Sequence, residues 1–137
     1  MKTKHLNPIL FLFLTLGLLC NSCNPTPTVC DNFLENLTNC SAQNWKVTIS
    51  IRNGNSVTSE INEIWRFKSD KTYTRTTVTG TNNFDYDNSK FWLGTTQTIS
   101  NTFLYSFSNN NTEFELVAQD AAHSPGTTIR RIKFVKQ

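Results

Sequence analysis

A chain of 137 residues is long enough for one domain and little more. Its 13 Lys and Arg face 10 Asp and Glu, and two of those cations, Lys2 and Lys4, precede the first apolar run. Without residues 1–22 the balance is 11 against 10, a net charge of +1, which leaves no electrostatic case for nucleic acid or an anionic membrane surface as partner.

Lys2, Lys4 and His5 form a short cationic start, followed by an almost unbroken apolar run from Ile9 to Leu19. Those 11 residues fall well short of the roughly 20 that a membrane-spanning helix needs, so the run reads as the core of a secretory signal peptide. It stops at Cys20-Asn21-Ser22-Cys23, and Asn24-Pro25-Thr26-Pro27-Thr28 follows. A cysteine directly after a short apolar run, then a polar Pro/Thr stretch, resembles the cleavage and lipidation site of bacterial lipoproteins. In that family the cysteine becomes the acylated first residue, carrying palmitate-type chains, and a small residue precedes it. Cys23 after Ser22 fits this better than Cys20 after Leu19, although Cys20 occupies the position where the family prefers Leu. An ordinary secreted protein with an unmodified Cys23 is the alternative. The resemblance implies an exported outer-membrane lipoprotein whose anchor gains about 0.8 kcal/mol per buried methylene.

The expected organisation is therefore a signal peptide over 1–22, a lipid-anchored tether over 23–29 and a single domain over 30–137, leaving 115 residues after cleavage. Cys30 and Cys40 remain as an even pair, which in an oxidising compartment predicts a disulfide. Between them, Phe33, Leu34 and Leu37 suit one face of a short helix.

After residue 40 the texture changes to strands. Trp45 to Ile51 alternates apolar and polar, predicting Trp45, Val47, Ile49 and Ile51 on one face. Asn53-Gly54 supplies a turn. Glu60–Lys68 follows with Ile61, Trp65 and Phe67 in phase and Ile64 out of it, a slip that suggests a bulge at Glu63. Ser69-Asp70-Lys71 turns into a Thr-rich strand over Thr72–Thr79, and Gly80–Ser89 reads as a long loop. Further strands are predicted at Lys90–Leu93, Thr96–Ser100, Phe103–Ser108, Glu113–Ala118 and Thr127–Lys136. About eight short strands with turn residues between them predict an all-β, antiparallel up-and-down barrel or half-barrel, preceded by a short helix.

Trp45-Lys46-Val47, Ile64 to Tyr73, Phe91-Trp92-Leu93, Phe114 to Val117 and Arg130 to Phe134 together resemble the lipocalin-like domains of small Gram-negative lipoproteins. The Gly-x-Trp pattern usual in lipocalins is absent before Trp45. The resemblance implies a small barrel with a pocket for an apolar ligand. Its candidate lining is Trp45, Trp65, Phe67, Tyr73, Trp92, Tyr105 and, if it faces inward, Arg131. The competing expectation is that so small a barrel fills its interior with side chains.

Catalytic chemistry finds little footing. His123 is the single histidine after the leader and stands beside Ser124 in a loop, without the Gly-x-Ser-x-Gly elbow of a nucleophile. Asp85 and Asp87 offer oxygen ligands but lack the glycine and distal glutamate of a calcium loop. Glu113 and Glu115 share a strand face with water. We expect no enzyme, metal or cofactor. The expected role is a membrane-anchored binding module, for a small apolar ligand or a protein partner, or else a structural envelope-assembly lipoprotein without a small ligand.

Overall fold

A computed structural model describes residues 30–119 and 128–137. The expected signal peptide over 1–22, the expected tether with Cys23, and His123 lie outside the described residues. The chain opens with a seven-residue helix, α1 (Asn32–Thr38). Nine strands follow: β1 (Ala42–Arg52), β2 (Asn55–Ser56), β3 (Ile64–Lys68), β4 (Thr72–Arg75), β5 (Val78–Tyr86), β6 (Lys90–Leu93), β7 (Thr102–Ser108), β8 (Glu113–Gln119) and β9 (Thr128–Lys136). They form an antiparallel sheet in sequence order, and β9 pairs back onto β1 to close an eight-stranded barrel, with β2 as an appended extra strand. Closure removes the free edges that an open meander of short strands would expose.

Local chemistry explains the ends of α1. Asp31 caps it by accepting from Leu34 N at 2.9 Å, and Asn39 adopts the left-handed conformation that ends many helices. A Cys30–Cys40 disulfide, with Cα atoms 5.6 Å apart, clamps the helix at both ends. Phe33, Leu34 and Leu37 are buried against the barrel, as their helical spacing predicts. Trp45 Nε1 donates to Leu37 O at 2.7 Å, Phe33 stacks on Tyr86 with centroids 4.1 Å apart, and the Tyr86 hydroxyl donates to Asp31 at 2.8 Å. The helix thus plugs one end of the barrel.

Five sequence expectations change. Gly80–Ser89 is not a loop, because most of it belongs to β5, where Phe84 and Tyr86 point inward two residues apart beneath an exposed Thr/Asn stretch. Thr72–Thr79 is two strands, since β4 turns at Thr76-Thr77 into β5, pairing Arg75 with Val78. Thr96–Ser100 is not a strand. The Asn101 amide donates to Leu93 O and Thr96 O, and its oxygen accepts from Thr98 N, so side-chain bonds pull the segment into a 3-10 turn at Ile99–Asn101. Glu60–Glu63 is likewise not strand: a 3-10 turn ends at Glu60, Asn62 and Glu63 both bond to the backbone of Val47, and β3 begins only at Ile64. Finally, a bulge between Val47 and Ile49 shifts the register of β1 against β9, so Ser50 is buried while Ile49 and Ile51 are half-buried.

The interior is a continuous aromatic core. Trp45, Trp65, Phe67, Phe84, Phe91 and Phe103 are essentially inaccessible, as are Phe114 and Phe134. Phe67 stands edge-on to Phe84 at 5.4 Å and to Phe91 at 6.0 Å, while Phe114 stacks on Phe134 at 5.5 Å. Such ring pairs add about 0.5–1.5 kcal/mol each beyond the area they bury. Breaking the clamp with Cys40→Ser should lower unfolding free energy by about 2–3 kcal/mol, because the denatured chain regains the freedom of the closed loop. Urea denaturation of the variant, and of the parent with and without reductant, measures this.

Candidate functional site

The structure places the proposed pocket-lining residues on both faces of the barrel wall. Trp45, Trp65, Phe67 and Tyr73 point inward and pack on one another and on neighbouring rings. Tyr105 lies at the plugged end, edge-on to Phe33 at 4.6 Å, with its hydroxyl donating to Asp87 O at 3.2 Å. Trp92 alternates with the inward Phe91, so it sits on the outer wall, half-buried, with no hydrogen-bond partner for its indole N–H among the described residues. Arg131 also faces outward and donates through Nε to Glu115 at 2.6 Å. The inward arginine of β9 is Arg130, in phase with the buried Ile132 and Phe134.

At the end of the barrel opposite α1, the apolar core gives way to charge. Glu63 is buried and accepts from Trp65 Nε1 at 2.8 Å, from Arg75 Nε and Nη2 at 3.1 and 2.7 Å, and from the Thr77 hydroxyl. Burial opposes ionisation of Glu63, but these bonds outweigh it and hold its carboxyl below the usual value. The Arg75 guanidinium lies 4.5 Å from the Trp65 ring, covering the core from above. Beside this pair, Glu60 accepts from Ser50 Oγ at 2.6 Å and from Arg130 Nη2 at 3.3 Å, with Arg52 at 3.6 Å and Arg75 at 3.9 Å. Burial pushes the Arg130 pKa down, Glu60 pulls it up, and the charges of Arg52 and Arg75 lower it again. Arg130 Nε is buried without a partner among the described residues.

A second feature lies on the outer wall. The segment carrying Gln97, Thr98 and Ile99 stands over β6–β8 and leaves an open groove of about 460 Å³, lined also by Lys90, Thr102, Leu104 and Val117. Ile99 is 69 % exposed and Leu104 46 %, which for large aliphatic side chains marks an apolar patch open to solvent. Three ion pairs lie on the outer wall: Lys133 with Glu113 at 2.8 Å, Arg131 with Glu115 at 2.6 Å, Lys71 with Asp85 at 2.6 Å. Asp87 is occupied by Ser89 and Lys90 backbone N–H groups. Among the described residues no group of His, Cys, Asp or Glu is placed to hold a metal ion.

Comparison with protein-family models, curated proteins and solved structures finds no match. Sequence reasoning passed over Glu60, Glu63, Arg75 and Arg130. The signal for Arg130 was its even spacing from Ile132 and Phe134; the carboxylates carried none, because they sit in a turn that the alternation of β3 does not reach.

Glu63→Gln removes the ion pair and leaves Arg75 without its close partner, which should cost about 3 kcal/mol at neutral pH. Because the folded-state pKa of Glu63 lies below its ordinary 4.5, its contribution is complete above that value and is lost as pH falls through the lower folded pKa. Parent stability should therefore fall below about pH 4.5 more steeply than that of Glu63→Gln, as urea titrations at stepped pH would measure.

Proposed function

We propose that the protein is an exported lipoprotein, held on the outer membrane by acylated Cys23, whose lipocalin-like barrel is a binding module for a protein partner of the cell envelope. The observation that carries this reading is the contrast between a ring-filled interior and an open apolar groove outside it. The rings that point inward pack on one another, which favours recognition at the surface over an apolar ligand held within. Ile99 and Leu104 are the exposed aliphatic anchors there, flanked by the polar Gln97, Thr98 and Lys90, an arrangement of apolar centre and polar rim that suits protein docking. The tether supports the same picture. Seven residues from Cys23 to Val29 reach at most about 24 Å when extended, which keeps the plugged end of the barrel near the bilayer.

The filled interior also favours a second reading, a structural envelope-assembly lipoprotein that takes no small ligand. A photo-crosslinking side chain placed at Leu104 in the native host separates the two. The binding reading predicts a discrete adduct, reduced about tenfold or more by Ile99→Asp, as expected for a central apolar contact. Folding stability of that variant should stay within about 0.5 kcal/mol of the parent, since Ile99 is exposed. No adduct from Leu104, Ile99 or Val117 would favour the structural reading.

A further inference from the structure

A net charge of +1 after residue 22 gives no reason to look for an anionic surface, yet the fold separates its charges by wall. On β8 and β9 the outward cations Lys133 and Arg131 are paired with Glu113 and Glu115, and near β5 Lys71 is paired with Asp85. β1, β3 and β4 contain no acidic residue, while β1 and β3 carry Lys46, Arg66 and Lys68. Strand parity turns these three outward, because Trp45, Val47, Trp65 and Phe67 are buried.

Register lines them up. Lys46 stands opposite Ile64, Asn44 opposite Arg66 and Ala42 opposite Lys68. The cations therefore form a row with steps of about 7 Å, the diagonal and same-face spacings of a sheet. Like charges so placed repel, and among the described residues no carboxylate on these strands relieves them. The acids nearest the helix end of the row are engaged locally: Asp70 accepts from the Thr72 N–H and hydroxyl, and Asp31 from Leu34 N and the Tyr86 hydroxyl. Asp120, outside the described residues, is joined to Gln119, which pairs with Thr128 at the opposite end of β9 from Val135, the neighbour of Lys46.

Two placements suggest what covers the row. It ends where the tether reaches the domain: Lys68 pairs with Ala42, Ser69 N donates to Ser41 O at 2.8 Å, and the adjoining Cys40 is bonded to Cys30, the first described residue. In the eight-stranded ring, moreover, β1 is diametric to β6 and β3 to β7, so the row and the groove that starts at β6 and β7 lie on opposite walls.

We propose that the row of Lys46, Arg66 and Lys68 rests on anionic phospholipid headgroups, laying this wall of the barrel on the bilayer and turning the groove away from it. The proposal rests on the lipid-anchored reading of Cys23, because three cations alone hold a domain weakly and the short tether supplies the effective concentration that makes the contact.

The test is lysine acetylation of the full chain, purified from its own host and inserted into preformed vesicles, read residue by residue by mass spectrometry. One vesicle contains phosphatidylglycerol and phosphatidylcholine, the other phosphatidylcholine alone. Lys46 and Lys68 should react at least about threefold more slowly on the anionic vesicles, while the exposed Lys90 on the far wall reacts equally on both. Arg66→Glu, at an exposed position, should remove most of that protection without lowering Tm, and so should about 1 M salt. Equal rates on the two vesicles from acylated protein overturn this orientation alone. An intact mass without acyl groups overturns the anchored reading on which it rests. Protection on neutral vesicles that grows with protein density means that a second copy covers the row, and also overturns the proposal.

Discussion

Phe67 occupies the place where the barrel's two halves meet, with Trp65, Tyr73 and Phe84 on one side and Phe91, Phe114 and Phe134 across from it. Its neighbours come from β3, β4, β5, β6, β8 and β9, so this packing ties together strands that hydrogen bonding joins only pairwise. A barrel of four- to nine-residue strands around an 11-residue β1 has little ladder to spare, and ring packing across its axis supplies the cohesion. The same rings are buried against one another through the middle of the barrel. Two other places offer different chemistry, the charged end and the outer wall.

The two ends are built on opposite principles. At one, α1 inserts Phe33, Leu34 and Leu37 and is fixed by the Cys30–Cys40 clamp and by the Trp45 indole bond to Leu37 O. At the other, Arg75 lies over Trp65 while Glu63 reaches the same indole from the side, so a charged network rather than a helix covers the last aromatic layer. Burying such a network is tolerable only when each charge is paired, and Glu63 with Arg75 meets that condition. Glu60 with Arg130 meets it only partly, which singles out this corner among the ion pairs of the barrel.

Much of this was legible from residue order, and the exceptions share a cause. The helix spacing of Phe33, Leu34 and Leu37 and the period-two phase of Phe114/Leu116 and Ile132/Phe134 located their elements and faces. β5 was hidden because Thr79 to Asn83 buries nothing; its strand character rests on Phe84 and Tyr86 and on partners distant in sequence. Thr96–Ser100 alternates like a strand, yet the Asn101 side chain satisfies the backbone locally and no apolar face is left to bury. The bulge after Val47 reverses the parity of β1, exchanging Ser50 for Ile49 in the interior, and no local residue announces it. The charged end depended on that exchange, since Ser50 is what holds Glu60. Arg130 was readable from its phase, whereas its pairing with a turn seventy residues earlier was not.

The rings from Trp45 to Phe134 fill the interior that they line. Native mass spectrometry of the protein purified gently from its own host tests this most directly. The expected spectrum is the covalent mass of the protein, disulfide included, with no small molecule retained as activation energy is raised. A non-covalent mass of a few hundred daltons that leaves on activation and survives Leu104→Asp would mean a ligand held inside the barrel, and would contradict a filled interior.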